Sequence, residues 1–260
     1  MIRSLLLVSA ISFAFDSISA SAQNIPSGSP QAISLAAQSL AALSGGVNIS
    51  DITLTGNVTW EGNDSGTATL KALGTAESRI DLVLSSGTRT ELRDAQTGVA
   101  TGKWINPSHA SGVIAFQNCQ TDAAWFFPAL GSLAVGSNIV LSYIGQETRN
   151  GIAVQHIQSY VYQPNSVSIG TTTTQQLSTT DFYLDATTLL PLAVIFNAHP
   201  DTDTGVSLPI EVDFSNYQTI GGVVVPMHIQ RFQQGHLLLD AALTGASFNT
   251  GLTLSTFAIN

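Results

Sequence analysis

Apolar and polar residues alternate with a period of two over most of the chain from Val47 onward, and this pattern constrains the fold more than any other feature. A period of two puts successive side chains on opposite faces of a β-strand, so each run predicts a strand with one buried and one solvated face. In the first run, Ile52, Leu54 and Val58 alternate with threonine and asparagine. Comparable runs follow in the ranges 67–72, 79–84, 89–93, 138–143, 152–162, 178–185, 190–197, 208–217, 223–233 and 236–249.

Glycine, asparagine and aspartate clusters separate these runs at intervals of about 8–12 residues, which is typical of an antiparallel meander. No change of composition divides residues 47–260, so we predict one domain there. Twist accumulates across a sheet of this size, which must therefore curl or close. The predicted fold is mainly β (α+β), a single curled antiparallel sheet of about eleven strands. Within it, Arg89, Glu91 and Arg93 are expected on the outer face of their strand.

Two segments have helical spacing and are expected to cover the sheet. In the range 31–43, apolar residues recur at intervals of three and four between a Ser-Pro start and a Gly-Gly stop. Thr121-Asp122 indicates the start of a second helix that reaches Leu130 and carries the aromatic cluster 125–127. Packing in the core of the adjacent sheet is the simplest role for these aromatic side chains. The threonine-rich range 163–176 predicts a loop or a weak edge strand.

The first 22 residues have the features of a secretory signal peptide. Arg3 is the early positive charge, an apolar stretch of 11 residues runs from Leu5 to Phe15, and Ala20-Ser21-Ala22 forms an A-x-A cleavage site. The apolar stretch is too short to cross a bilayer core of about 30 Å. An ordinary buried amphipathic helix is the alternative interpretation. We predict cleavage after Ala22, a leader and helix over 23–46, and no transmembrane span in the remaining chain.

The charge balance excludes nucleic acid as a partner. Eight Lys and Arg against 17 Asp and Glu give a net charge of −9, and such a surface repels phosphate backbones. Hydrophobic residues make up 44% of the chain and charged residues 10%, which excludes a disordered chain or a coiled coil.

Catalytic and metal-binding motifs are sparse. His228 and His236 fall on neighbouring predicted strands and could approach each other, although solvated strand positions are the default interpretation. The acidic range 201–205 starts like a calcium loop but lacks the later glycine and glutamate, so a polar hairpin is expected. Cys119 is the single cysteine, so no intramolecular disulfide forms, and a small buried side chain is its expected role. We therefore predict no cofactor, no metal and no enzymatic activity.

Three segments of the last third resemble a known group of proteins. Residues 182–191 read Phe-Tyr-Leu-Asp-Ala-Thr-Thr-Leu-Leu-Pro, residues 216–226 contain a Gly-Gly hairpin, and Phe248-Asn249 precedes a C-terminal close at 252–257. Together with the order of elements, these segments resemble the LolA/LolB-like periplasmic lipoprotein carriers and the N-terminal domain of RseB-type envelope-stress sensors. The resemblance implies an incomplete antiparallel barrel, covered by two or three short helices, with an apolar concave cavity for acyl chains. It also implies a periplasmic location.

The resulting hypothesis is an exported carrier that binds lipid or lipoprotein acyl chains. The predicted cavity residues come from the sheet and from the second helix: Trp60, Leu70, Leu82, Leu84, Trp125, Phe126, Phe127 and Leu130. The alternative is an envelope protein-interaction or stress-sensing module with a packed cavity and a protein partner. A third class, an envelope enzyme, needs a converging nucleophile and base that the sequence does not indicate.

Overall fold

The predicted alternation corresponds to one antiparallel sheet. The computed structural model describes residues 26–94, 101–130, 138–163 and 168–258; the signal-peptide prediction for residues 1–22 lies outside them. Thirteen strands are present in the described residues, in the order β6-β5-β4-β3-β2-β1-β13-β12-β11-β10-β9-β8-β7. Their bounds are β1 Asp51–Trp60, β2 Asp64–Leu73, β3 Glu77–Leu84, β4 Gly87–Asp94, β5 Thr101–Ile105, β6 Ser111–Ile114, β7 Ile139–Arg149, β8 Ile152–Val161, β9 Thr180–Asp185, β10 Pro191–Ala198, β11 Leu208–Ile220, β12 Val223–Gln233 and β13 His236–Phe248.

The sheet curls without closing, which confirms the predicted incomplete barrel. β6 and β7 stand at its two ends, and the first strand, β1, pairs with the last strand, β13, near its middle. Thirteen strands replace the expected eleven. The excess comes from the region of β5 and β6, which are 5 and 4 residues long and too short to show a clear period.

Three α-helices accompany the sheet in the described part of the chain: α1 Pro30–Ser44, α2 Phe116–Asp122 and α3 Ser168–Ser178. α1 was expected, and Ser29 caps it by accepting a hydrogen bond from the Ala32 amide. It ends at Gly45, whose φ of +57° favours glycine. A Cβ at this position would lie 2.0 Å from the carbonyl oxygen of Gly222, so glycine is also required sterically. Among the described helices, none is long and apolar enough to cross a membrane.

The other two helices differ from the prediction. α2 ends where a helix was expected to begin, and the Thr121 hydroxyl donates to the carbonyl of Gln117 in the preceding turn. Residues 123–130 continue as turns, and we call them the plug segment. The predicted loop at 163–176 instead contains most of α3. Threonine has a low helix propensity, but α3 packs against β8, β10 and α2, and this tertiary contact outweighs the propensity.

The concave face of the sheet carries the core. Even-numbered residues of β1, β2 and β3 point to this face, where they form one apolar cluster with α1 and the plug segment. Leu82 pairs with Arg89 and Ile80 with Glu91, so the alternating charged residues of β4 share this inner face. The prediction that Arg89, Glu91 and Arg93 lie outside is therefore wrong. Leu92, between them, is buried on the opposite face.

Candidate functional site

The plug segment fills the concave side of the sheet. Phe126 and Phe127 are fully buried, and Trp125 contacts Phe126 edge-to-face with ring centroids 5.7 Å apart. The ring of Phe127 reaches Phe248 of β13, with centroids 6.2 Å apart. The segment forms successive turns, in which the Phe127 amide donates to the Ala124 carbonyl and the Leu130 amide to the Phe127 carbonyl, and Pro128 has no amide hydrogen with which a helix could continue. Its aromatic side chains therefore enter the core from a turn instead of from a helix face.

The structure brings all eight predicted cavity residues to this region. Seven of them are buried members of the apolar cluster, and Trp60 packs against it while remaining partly exposed. The seven are Leu70 of β2, Leu82 and Leu84 of β3, and Trp125, Phe126, Phe127 and Leu130 of the plug segment. In this conformation they pack against one another, and their binding of a ligand stays a prediction.

An open pocket of about 490 Å³ lies beside the plug segment, and we call it the arginine pocket. Trp60 is the one predicted cavity residue that lines it. Apolar walls come from Trp60, Trp104 and Leu238. The Trp104 indole lies directly over Gly112, where a Cβ would come within 2.7 Å of the ring. Glycine at position 112 therefore allows the ring to lie flat against β6.

Three arginines converge on one carboxylate in this pocket. Arg89 and Arg93 stand two residues before and two residues after Glu91 on the same face of β4, and Arg231 reaches across from β12. Glu91 Oε1 lies 2.9 Å from Nη2 of Arg89, and Glu91 Oε2 lies 3.3 Å from Nη1 of Arg93. Arg231 Nη1 is 3.9 Å from the same Oε2 atom. The cluster ties β4 to β12 across the concavity of the sheet.

The charges of the cluster change the pKa of Glu91. Burial alone would raise the pKa of this carboxyl group, but the guanidinium groups of Arg93, Arg231 and Arg89 lower it to about 2. Glu91 is therefore a carboxylate at neutral pH. It stabilises three buried or half-buried arginines on a surface where cations are otherwise sparse.

Two of the arginines also contact aromatic rings. The Cζ atom of Arg89 lies 4.4 Å from the centroid of the Trp60 ring, and that of Arg231 lies 4.8 Å from the Trp125 ring. Both distances are within the range of cation–π contacts. Through Trp125, the arginine pocket adjoins the plug segment directly.

Sequence reasoning missed the arginine pocket because it treated charge as a sign of exposure. The signal was present in the hairpin between β3 and β4. Leu84 pairs with Gly87, so the turn consists of two residues, Ser85 and Ser86. A two-residue turn fixes the register and places Arg89 opposite Leu82, on the apolar face.

The histidine pair suggested by the sequence does not form. His228 pairs with Ala242, while His236 pairs with Gln233 at the end of the hairpin. No group of three or more histidine, cysteine or acidic side chains suitable for a metal occurs among the described residues. Cys119 is buried, and a Cβ on Gly102 would come within 2.6 Å of its sulfur. The range 201–205 is an exposed turn in which Asp203 accepts a hydrogen bond from the Gly205 amide.

A serine, a histidine and an aspartate do line up on the convex face. His228 Nδ1 lies 3.1 Å from the Ser215 hydroxyl, and His228 Nε2 lies 2.8 Å from Asp240 Oδ1. No sequence motif indicates this arrangement. These residues belong to three adjacent strands, so sheet register alone places them together. Ser215 is exposed, and Asp240 is also held by the Gln230 amide at 2.7 Å.

A second polar cluster on the convex face joins β7, β8, β9 and β11. His156 lies between Glu147 and Asp181, at 2.6 and 2.9 Å, and stacks on Tyr183. Nearby, Arg149 forms ion pairs with Glu211 and Asp213. Burial and the adjacent Glu211 raise the pKa of Asp213 to about 6, against a smaller opposing effect of Arg149.

Comparisons with known proteins identify the fold. Neither family models nor curated proteins gave a match to the sequence. An outer membrane lipoprotein-sorting protein domain from Vibrio parahaemolyticus is similar, with 16% identity, a TM-score of 0.54, and coverage of 87% of this chain and 96% of that domain.

Two further solved structures agree with this assignment. A LolA superfamily protein from Nitrosomonas europaea has 10% identity and a TM-score of 0.52, covering 88% of this chain and 97% of its own. A DUF1329 family protein from Desulfovibrio piger has 12% identity and a TM-score of 0.51, covering 88% of this chain and 96% of its own. The resemblance to LolA-like proteins is therefore confirmed at the level of the fold.

Proposed function

We propose that the protein is an exported carrier that holds the acyl chain of a lipid or lipoprotein between the concave face of the sheet and the plug segment. The observation that carries the proposal is the plug itself. The apolar face of an unclosed sheet is covered here by an irregular segment whose aromatic side chains occupy the space an acyl chain would take. No nucleophile, metal or cofactor is needed for this function.

An exchange of apolar contacts supports reversible binding. A chain of twelve methylenes gains on the order of 10 kcal/mol by burial, at about 0.8 kcal/mol each and before ordering costs. The ligand must displace Trp125, Phe126 and Phe127, and burial of such a side chain contributes about 1.5–3 kcal/mol. For the three side chains together this contribution is about 4.5–9 kcal/mol, which is comparable with the gain from the acyl chain, so binding is weak enough for release to an acceptor.

Export follows from the predicted signal peptide at residues 1–22, with cleavage after Ala22. The proposed location is the periplasm, because LolA-like relatives include a lipoprotein-sorting domain. No part of the proposal requires a membrane-spanning helix.

Photocrosslinking from inside the core tests acyl-chain binding. We propose the substitution Phe127→p-benzoylphenylalanine in protein expressed in its host, followed by irradiation and mass spectrometry. The matched control is Val83→p-benzoylphenylalanine, since Val83 is 56% exposed on the convex face. A lipid or lipopeptide adduct at position 127 and none at 83 is expected. Absence of any such adduct at 127, in folded protein, would overturn the proposal.

The second candidate function is an envelope protein-interaction module. The observation that favours it is the tight packing of the concave face, where Phe126 and Phe127 are fully buried and Leu70 and Leu82 are at most 1% exposed. Affinity purification from the envelope distinguishes the two functions. Recovery of one stoichiometric protein partner without lipid supports the interaction module; co-purifying lipid without a protein supports the carrier.

A further inference from the structure

The distribution of cations in this acidic chain points to the arginine pocket. The sequence holds eight Lys and Arg residues in a chain of net charge −9. Three of the eight, Arg89, Arg93 and Arg231, line this one pocket. Among the lining residues they face two carboxylates, Glu91 at the centre and Glu61, an exposed residue at the start of the turn after β1. The pocket is thus a cationic concavity in a molecule that otherwise repels anions.

The arginines are held in fixed positions. Arg93 is 2% exposed, and Arg231 is 8% exposed between Glu91 and the Trp125 ring. Arg89 donates Nε–H and one Nη2–H to Glu91 while its plane lies over Trp60. A guanidinium group has five N–H donors in a planar fork that matches carboxylate and phosphate oxygens. Positioning by strands and rings lowers the entropy that such a group loses on binding an oxyanion.

The neighbourhood of the pocket specifies more than a free anion. Trp104, Ile114 and Leu238 supply apolar walls beside the arginines. Trp60 borders the pocket and also packs against the apolar cluster, so it spans the boundary between the two regions. The volume of about 490 Å³ is within the usual range of ligand pockets. A ligand with an anionic head and an apolar tail fits the arginines of the pocket and the apolar surfaces beside them.

We infer that the arginine pocket binds the oxyanion head group, phosphate or carboxylate, of an amphiphile whose acyl chain enters beneath the plug segment. The inference rests on the proposed carrier function and names its ligand class. Arg89, the most exposed of the three guanidinium groups with a side chain that is 19% exposed, makes the first contact with the head group. Arg231 links the head group to the plug segment, because its guanidinium lies on Trp125.

Three probes separate the contributions of head and chain. Dodecyl phosphate has both, monolauroylglycerol has a chain of the same length with an uncharged head, and inorganic phosphate has no chain. Isothermal titration calorimetry of each probe with the purified protein gives the dissociation constants. The two amphiphiles are used below their critical micelle concentrations. We expect dodecyl phosphate to bind at least about tenfold more tightly than monolauroylglycerol, because one charge-assisted hydrogen bond is worth about that factor or more. We expect at least the same advantage over inorganic phosphate, because only the amphiphile buries a chain.

Arg89→Gln is the diagnostic substitution, and Arg79→Gln is its matched control. Arg79 lies on the adjacent strand β3 and pairs with Asp81 two residues along, as Arg89 pairs with Glu91, but on the convex face. Arg89→Gln should weaken dodecyl phosphate binding about ten- to hundredfold and leave monolauroylglycerol within about twofold. Arg79→Gln should change neither. Arg89→Lys, which keeps the charge but loses the fork, should fall between wild type and Arg89→Gln.

The outcomes distinguish failure of the inference from failure of the carrier function. If both amphiphiles bind equally and Arg89→Gln changes neither, the head-group site is refuted while the carrier stands. If inorganic phosphate binds as tightly as dodecyl phosphate and monolauroylglycerol does not bind, the amphiphile is refuted and the pocket is a free-anion site. If no probe binds, both proposals fail. Urea unfolding of each variant confirms that a loss of binding reflects the pocket and not the fold.

Discussion

Glu91→Gln tests whether the arginine pocket is held together by its central carboxylate. The arginines lower the pKa of Glu91 from its usual 4.5 to about 2, despite burial. Each tenfold change in proton affinity is worth about 1.36 kcal/mol, so the ionised form contributes roughly 3 kcal/mol to the folded state. Removing one partner of a buried ion pair costs about the same, since it leaves buried charge uncompensated. We therefore expect Glu91→Gln to lower the free energy of unfolding at pH 7 by about 3 kcal/mol.

The pH dependence gives an independent check on the same reasoning. A carboxyl group with a lowered folded-state pKa stabilises the fold fully above about pH 4.5 and progressively less as the pH falls towards 2. Urea unfolding at several pH values should therefore show the difference between wild type and Glu91→Gln shrinking from about 3 kcal/mol at pH 7 to about 1 kcal/mol at pH 2.5. A difference that stays constant with pH would mean that packing, and not charge, explains the effect.

Asp81→Asn is the control for this experiment. Asp81 pairs with Arg79 on the convex face, with side chains that are 22% and 34% exposed. A pair this accessible to solvent is worth at most about 1 kcal/mol. If Glu91→Gln changes the unfolding free energy by no more than Asp81→Asn does, the account of the buried cluster is refuted.

Three further predictions concern other parts of the molecule. Asp51→Ala should cost about 2–3 kcal/mol in urea unfolding, since Asp51 accepts hydrogen bonds from the amides of residues 250–252 and ties the C-terminal segment to β1; a loss below about 0.5 kcal/mol would contradict this role. Asp213→Asn should raise the free energy of unfolding by about 1 kcal/mol at pH 7.5 and leave it unchanged below about pH 4. The reason is that the pKa of Asp213 is raised in the folded protein, so the wild type loses stability as the pH rises towards 6. Destabilisation at pH 7.5 would show that the ion pair with Arg149 outweighs burial. Ser215→Ala should leave hydrolysis of p-nitrophenyl acetate at the wild-type background, since Ser215 lies on an exposed sheet face; a Ser215-dependent rate would mean that the convex face is catalytic.

The long strands were predictable because their period is an intrinsic property of the sequence. The bounds predicted for 223–233 coincide with β12, Val223–Gln233. Its alternating valines and isoleucine, bounded by Gly221-Gly222 and Gln234-Gly235, fix both the period and the turns. β6, with 4 residues, contains too few positions to define a period, so it was missed.

Helices were less predictable, because their positions depend on partners that are distant in sequence. Thr121 has the residue type of an N-cap, yet its hydroxyl donates to the carbonyls of Gln117 and Leu177 at the end of α2. The Leu177 carbonyl belongs to α3, a helix whose sequence has few apolar residues and which packs on β8 and β10. The Gln117 contact is local, but the Leu177 contact and the packing of α3 join residues that are distant in sequence, so the local sequence does not encode them.

The candidate site was half predictable for a related reason. Apolar residues such as Leu82 and Phe127 are buried, as their side chains favour in any context, and their binding of a ligand stays a prediction. Arg93 was placed on the wrong face, because a charged side chain is buried only when a partner such as Glu91 is supplied from the same or another strand. Register, which follows from the two-residue turn at 85–86, carries the missing information.

The pairing of β1 with β13 determines when in its synthesis the chain can complete its fold. Ile52 of β1 lies opposite Phe248 of β13, so the centre of the sheet joins residues from opposite ends of the domain. The ribosome synthesises the amino-terminal hairpins long before β13. Contacts between residues as far apart in sequence as those of β1 and β13 form late and slowly in folding. For the export that we propose, this delay is useful, because the two arms of the meander are joined into a finished fold only after β13 has followed them across the membrane.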